Sequence, residues 1–403
     1  MPNPLAGKRI VLGISGSIAC YKALDLASKL VQAHAQVDII LTRGAQEFIT
    51  PLACRSLTHR PVVTDLFDPT SELSMDHVAL AESADIVVVA PATAHVMAKV
   101  AHGLADDALT TTILATQAPV LLAPAMDAHM YENPATQANA ALLKQRGYTI
   151  AGPAWGRLAS GLTGQGRLLE PADIVEHIKV VLGRHGDLAG YTIVVSAGGT
   201  QEPIDPVRII TNRSSGKQGY AIAEAARDRG ARVVLVTASS LPDPVGMETR
   251  HVTTVASMRE AVLKACVGAN ALIMAAAVSD YRAAEVAAHK IKKEDMASEE
   301  MTLHLVKNAD FFLEVPEGIL RVGFAAESDD LLANADRKLK AKGLALIAAN
   351  DITGTDSGFN VDTNRVTILD RDGGVEELPL LSKYEVGHRL LDRVKGYLGG
   401  RRR

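Results

Sequence analysis

The sequence predicts an α/β fold made of two doubly wound, three-layer domains. Three observations carry this. Apolar runs of strand length alternate with segments of helical periodicity, the rhythm of a parallel sheet covered on both faces. The rhythm stops at a polar, glycine-rich stretch, GRHGDLAG (Gly183–Gly190), and restarts directly after it. The 403 residues, 47% of them hydrophobic and 22% charged, can bury two cores, at roughly 100–200 residues per domain. The domains expected are residues 1–185 and 186–403.

In the first half the expected strands are Arg9–Ile14, Gln36–Thr42, Asp85–Ala90 and Pro119–Pro124. Helical segments separate them, as in CYKALDLASKLVQAH, where Ala23, Leu26, Ala27 and Leu30 share one face. In the second half the expected strands are Tyr191–Ala197, Arg232–Thr237, Ala271–Ala277 and Leu344–Ala349. The helix that opens near Lys217 carries Ala221, Ile222, Ala225 and Ala226 on one face and Glu224, Arg227 and Asp228 elsewhere. Ligands of such sheets sit at the carboxyl ends of the strands. The informative residues should therefore follow strands.

A net charge of −4 gives no sign of a nucleic-acid or membrane surface, and no apolar run approaches the ~18 residues of a membrane span. Lys8 and Arg9 before IVLGISGSIAC faintly resemble a signal peptide, but Gly and Ser interrupt the apolar run, so a first strand is expected instead. The three cysteines, Cys20, Cys54 and Cys266, are too scattered for a disulfide framework or a zinc site. A cytoplasmic protein is expected.

Two stretches invite a phosphate. In GISGSIACYK (Gly13–Lys22) a strand ends and a helix begins. The stretch lacks the third glycine of a dinucleotide fingerprint, so Gly16 and the hydroxyls of Ser15 and Ser17 suit one terminal phosphate better. Thr42 and Phe48 in LTRGAQEF, and the turns VAPATA and LLAPAMD, fall at the same sheet edge. In the second half, SSGK (Ser214–Lys217) looks like a P-loop, but Thr211 and Gln218 stand where that motif needs Gly and Ser or Thr. A helix start with small residues and a Lys still presents N–H groups to an anion.

SGSIACYK, SMDHVALAESADIVVVAPATA, PAMDAHMYENPAT and GRLASGLTGQGRLLEP resemble the flavin-dependent cysteine decarboxylase family. SAGGTQEPIDPVRIITNRSSGKQG and MAAAVSDYRAAEVAAHKIKKEDM resemble phosphopantothenate–cysteine ligase. In this order the halves resemble the fused, bifunctional enzymes of coenzyme A biosynthesis. The resemblance implies a flavodoxin-like flavoprotein domain followed by a Rossmann-like ligase domain. It implies FMN held by Gly13, Ser15, Gly16, Ser17, Thr42, Phe48, Ala92, Thr93 and Met126, and His77 as the base of the oxidative step. It also implies that Asn212 stabilises an acyl-cytidylate, with Arg208 as a nearby anion partner for the substrate. Lys290, in a basic lid with Lys292 and Lys293, would meet the CTP phosphates. Ala276, Ala277, Asp280, Ala309, Asp310, Phe311, Phe312, Phe324, Lys338 and Lys342 would complete the nucleotide site. Mg2+ is implied without identifiable ligands. The partners implied are 4′-phosphopantothenate, cysteine and CTP, in a homo-oligomer with trimers of the first domain and dimers of the second.

Two catalytic positions depart from the family pattern: Asp127 stands where an asparagine grips the substrate carboxylate, and Ser160 where a cysteine is the acid. An ionised Asp127 would repel that carboxylate, so it must be protonated, turned away, or used on another substrate group. A protonated Asp127, its pKa raised by an apolar flavin face, is the proton donor expected, with His129 and Tyr131 as fallbacks. Two other readings stay open: a degenerate flavin half that only scaffolds the ligase, and a different flavoprotein decarboxylase or prenyltransferase activity in that half.

Overall fold

The computed structural model describes residues 3–67, 76–292, 301–327, 330–351 and 361–400. The chain separates into two compact units, one of Asn3–Gly183 and one that begins at Arg184.

The first unit is a six-stranded sheet in the order Val62–Val63, Gln36–Leu41, Arg9–Ile14, Ile86–Ala92, Val120–Pro124 and Thr149–Ile150, parallel throughout. Without the edge strand Val62–Val63 this is the flavodoxin-like order, whose switch point lies between Arg9–Ile14 and Ile86–Ala92. Strand alternation feeds two cores. Ile10, Leu12 and Ile14 pack with Leu26 and Leu30, while Val11 packs on the other face with Val87, Val89 and Leu109. Strand Gln36–Leu41 stops before Thr42 because that residue turns to cap the helix Arg43–Gln46, accepting the Ala45 N–H. Asp85 falls outside its strand; its carboxylate receives Lys8 Nζ and the Arg9 N–H, both at 2.8 Å. The unit ends with a hairpin, Ala154–Arg157 and Thr163–Arg167, and the helix Pro171–Gly183.

The second unit has an eight-stranded sheet. Its order is Glu248–His251, Arg232–Thr237, Thr192–Ala197, Ala271–Met274, Leu320–Glu327, Leu346–Asp351, Val366–Asp370 and Val375–Glu377. The first six strands are parallel and the last two antiparallel. The parallel part has the Rossmann order, switching direction between Thr192–Ala197 and Ala271–Met274. Strand Leu320–Glu327 does not follow from the sequence pattern, because Arg321 and Gly323 break its apolar run. Strand Ala271–Met274 is shorter than expected because the chain then crosses to Gly198–Thr200, with Ala277 N–H bonded to Gly198 O and Thr200 N–H to Ala277 O.

The link residues Gly183–Gly190 are not a loose tether throughout. Leu188 is fully buried and its N–H donates to Arg229 O, while Asp187 pairs with Arg229 and Lys395. All three cysteines are free and buried, and burial pushes the Cys54 and Cys266 thiols up to about 11. Among the described residues no helix is long and apolar enough to cross a membrane.

The helix Lys217–Asp228 buries the expected apolar face, yet Arg227 and Asp228 are buried with it. The cause is the helix Lys383–Gly400, which lies against it so closely that a Cβ on Gly387 would be 3.2 Å from Ala221 O. Arg227 and Asp228 pair with each other. Val245 O accepts from Arg227 at 2.7 Å, and the Tyr384 hydroxyl donates to Asp228 at 2.7 Å. A buried ion pair needs such satisfaction of its remaining donors and acceptors. Tyr384→Phe should therefore destabilise the second unit by about 1.5–3 kcal/mol, the range for a hydrogen bond to a charged group. Urea unfolding followed by a probe in each unit will show the first unit unmoved.

Candidate functional site

In the first unit the strand ends meet at the switch point. Gly16 lets the turn after Arg9–Ile14 touch the turn after Gln36–Leu41; a Cβ there would be 2.7 Å from the Gly44 carbonyl. The helix Cys20–Gln32 starts at this turn with no side-chain cap on its N-terminus, and Ser17 is half-buried beside it. Uncapped N–H groups of this kind suit an anion. Ser15 differs from the expectation. Its hydroxyl is buried, donating to Pro91 O at 2.7 Å and accepting the Thr93 N–H at 3.1 Å, so it joins two strand ends and is not offered to a phosphate. Gly13 and Ala92 are buried in the same wall, and half-buried Thr93 caps the helix Ala94–His102. Thr42 is half-buried, with its hydroxyl bound to Ile14 O. Ala125 N–H binds Ala92 O, which brings Met126 to this edge, where its own N–H binds Gly166 O. Phe48 is exposed nearby in sequence to Thr42, and half-buried His77 sits in the first turn of the helix Asp76–Ser83.

Asp127 and Ser160 form one unit. Asp127 caps the helix Ala128–Glu132 by accepting the His129 N–H at 3.1 Å, and Ser160, in the hairpin turn, donates its hydroxyl to the other carboxylate oxygen at 2.6 Å. The Ser160 hydroxyl, with help from the His129 N–H, holds the Asp127 carboxyl below the ordinary carboxylate range. This differs from the protonated Asp127 expected from the sequence: the carboxylate meets the Ser160 hydroxyl and the His129 N–H, and both favour its charged form.

The second unit has two cavities along its switch point. The larger, about 460 Å³, is lined by every residue assigned to the nucleotide except Lys290, and also by Lys307 and Asn308. Asp310 receives Lys342 at 2.9 Å and caps the short turn Phe311–Glu314. Burial works against the Asp310 charge, but the Lys342 bond, the Phe312 N–H and the charges of Lys342 and Lys307 together lower its pKa. The smaller cavity, about 130 Å³, lies at the N-terminus of the helix Lys217–Asp228 and is lined by Ser214–Gly219, Asn350, Asn364 and Lys383 among others. Gly216 takes φ +83 there, and a Cβ would meet Ser239 at 2.7 Å, so the loop requires glycine. Lys383 is buried in this wall; burial and neighbouring Lys217 both lower its pKa. The buried Asn350 Oδ1 accepts no hydrogen bond among the described residues.

The cavities share Ala276, Ala277, Phe324 and Ala325. Asn212 stands at this seam, its amide donating to Ala277 O and Val278 O, both at 3.3 Å. Arg208 differs from the expectation of an anion partner: its guanidinium is committed to Asp205 and Ile291 O. Lys290 and Lys292 are exposed, and Lys293 lies outside the described residues. Sequence reasoning did not find Lys383 or Asn364, which come into the smaller cavity only through folding. Among the described residues no group of three or more His, Cys, Asp or Glu side chains could hold a metal.

The family described as "DNA/pantothenate metabolism flavoprotein C-terminal domain" matches residues 188–397, and the family described as "Flavoprotein" matches residues 2–183. A Coenzyme A biosynthesis bifunctional protein CoaBC of Vibrio parahaemolyticus is 44% identical over 396 residues, covering 97% of this chain and 98% of its own. The proteins of that name from Bacillus subtilis and Escherichia coli K12 are 45% and 44% identical over 397 residues, with 97% of each chain covered. The chain belongs to the bifunctional coenzyme A biosynthesis proteins. It is an enzyme with two activities, a lyase that decarboxylates and a ligase. The seam in the second unit and the crevice in the first are the candidate sites for the two.

The Asp127 shift gives a test. A carboxyl whose folded pKa is depressed contributes stability above its unfolded pKa, near 3.9, and loses it as pH falls through the folded value. The hairpin should thus stay latched to Asp127 at neutral pH and loosen only in acid. In Ser160→Ala the titration of Asp127, followed by carboxyl-carbon NMR, should move upward toward the ordinary value. An unmoved midpoint would show that Ser160 does not hold the charge.

Proposed function

We propose that the second unit joins cysteine to 4′-phosphopantothenate at the expense of CTP, and that the first unit, with FMN, decarboxylates the product to 4′-phosphopantetheine. The observation that carries the ligase reading is the seam: two cavities of different character meet along Ala276–Ala277 beneath the Asn212 amide. A reaction in which a carboxylate attacks the α-phosphate of a nucleotide needs that adjacency.

The triphosphate lies in the larger cavity near Lys307, Lys338 and Lys342, with Lys290 reaching it from the adjoining segment. The phosphopantothenate phosphate lies in the smaller one, at the helix N-terminus between Lys217 and Lys383. Its carboxylate then points at the seam, attacks the α-phosphate, and pyrophosphate leaves. Asn212 turns its amide from Ala277 O and Val278 O to the acyl-cytidylate oxygen, and the cysteine amine displaces CMP. Preorganised donors of this kind contribute about 10²–10³ in rate each. Asp280 and Asp310 are too few for a protein cage around Mg2+. They fit an ion held mainly by substrate phosphates, as Mg2+ commonly is.

The crevice of the first unit fits a flavin phosphate: a glycine turn, Ser17 and the uncapped start of a long helix. FMN there supplies the two-electron chemistry that makes the substrate's cysteine carbon able to lose CO2. The chain's own groups hold and move protons. His77 accepts a proton from the thiol-bearing substrate through an imidazole nitrogen. Because Asp127 is ionised, the proton that completes the product comes from another group. His129 follows it in the turn, with Nδ1 3.9 Å from the Asp127 carboxylate. Ser160 and Asp127 then act together, the hydroxyl fixing the carboxylate and the carboxylate facing His129. We also place the protein in the cytoplasm as a homo-oligomer, with exposed Ile18, Tyr21, Phe48 and Leu52 covered by a partner subunit.

Full-length protein should be purified yellow, with one FMN per chain. It should convert phosphopantothenate, cysteine and CTP to phosphopantetheine, identified by mass. Asn212→Asp should stop ligation, with a loss of about 10²–10³, and leave the flavin spectrum unchanged. Accumulation of the ligated intermediate by wild type, with no loss of CO2, would leave the flavin half as a scaffold.

A further inference from the structure

The turn between Gln201–Pro203 and Ile209–Thr211 holds a carboxylate that the chemistry above does not use. Asp205 has a side chain with no exposed surface. Its Oδ1 accepts the N–H groups of Val207 at 2.7 Å and Arg208 at 2.8 Å, which fixes the turn. Its Oδ2 faces outward from the turn. It accepts the Arg208 guanidinium at 2.5 Å and the Ile291 N–H at 3.2 Å. The same guanidinium nitrogen donates to Ile291 O at 3.2 Å. Both backbone groups of Ile291 are therefore bound by the Asp205–Arg208 pair. A further bond from Ala287 N–H to Ile204 O, at 3.0 Å, docks the other end of the same segment. Lys290 lies between these two attachments.

We propose that Asp205 is a positioning residue for Lys290, and that Arg208 is its strut and not a contact for an anionic substrate. An exposed lysine on a loop samples many positions. Here the peptide that follows it is bound through both its N–H and its carbonyl by a charged pair whose carboxylate is fully buried and whose guanidinium is partly exposed, and the segment can carry an ammonium to one place beside the nucleotide. The turn that holds it also leads through Ile209–Thr211 to Asn212, whose amide stands at the seam. One carboxylate thus sets the spacing of the two groups assigned to the cytidylate step. The charge is needed as well as the shape. An Asn at this position would have to satisfy Val207, Arg208, the guanidinium and Ile291 with one acceptor oxygen, and its NH2 would face other donors.

This rests on the reading that Lys290 meets the CTP phosphates, and the experiment separates the two. CTP binding is measured by calorimetry on full-length wild type, Asp205→Asn, Lys290→Gln and the double variant. If Asp205 acts through Lys290, each single change weakens CTP by about tenfold. The double variant is then no weaker than Lys290→Gln, the signature of two residues in one chain of effect. A full additional loss in the double variant means a general structural role and overturns the proposal, as does wild-type affinity in Asp205→Asn. Wild-type affinity in Lys290→Gln instead removes Lys290 from the nucleotide and defeats the reading beneath it. Trypsin cleavage after Lys290 and Lys292, followed by mass, reads the docking without any nucleotide. It should be faster in Asp205→Asn than in wild type, and equal rates overturn the docking. If Asp205→Asn does not fold, Arg208→Lys takes its place in both measurements. It keeps the charge but cannot reach both Asp205 and Ile291.

Discussion

Each unit depends on one buried serine hydroxyl at its switch point. Where a parallel sheet reverses its winding, neighbouring strands lead to opposite faces and their exits separate, leaving backbone groups that no ladder pairs. In the first unit Ser15 closes the gap, accepting the Thr93 N–H at 3.1 Å and donating to Pro91 O. In the second, Ser196 does the same work: fully buried, it accepts the Ala276 N–H at 3.1 Å and reaches the Met274 sulfur. The hydroxyl satisfies a buried N–H without adding bulk. The exits can then lie close enough for a ligand to touch both. The turn at Gly16, the cap at Thr93, the seam at Ala276–Ala277 and the place of Asn212 are all set around these two atoms.

Charge is distributed to match. The chain as a whole carries a formal −4, yet Lys217, Lys307, Lys338, Lys342 and Lys383 line the two ligase cavities. Lys217 and Lys342 are paired there with Asp362 and Asp310, whereas Lys383 is buried, and its lowered pKa records what burial costs an ammonium group. The first unit works in the opposite sense at Asp127, where a negative group is fixed by neutral donors and sits beside an imidazole. The two units thus differ in the charge at their strand ends: lysines line the cavities of the second, and a carboxylate held by donors stands in the first.

The fold was legible because buried parallel strands are continuous apolar runs, and Arg9–Ile14 and Arg232–Thr237 begin and end where the sequence pattern puts them. That these residues line one cavity in the second unit follows from their place after strands, in compact motifs. What escaped was pairing across distance. Nothing local says that Ser160 donates to Asp127, 33 residues away, or that Arg208 spends its guanidinium on Ile291. Arg227 and Asp228 read as surface charges because the helix that covers them comes more than 150 residues later. Lys383 reads as an ordinary charge at a helix start for the same reason. Residue type shows what a side chain can do; only the fold shows what has already engaged it.

The cover over Arg227 and Asp228 has a consequence for how the chain comes off the ribosome. The first unit holds all its partners once residue 183 has been made, and its strands and helices can close while synthesis continues. The second cannot. Until Lys383–Gly400 emerges, the helix Lys217–Asp228 shows its alanines to water and its ion pair lacks the Tyr384 hydroxyl. Nascent chains therefore carry a finished half followed by a long, sticky, unfinished one.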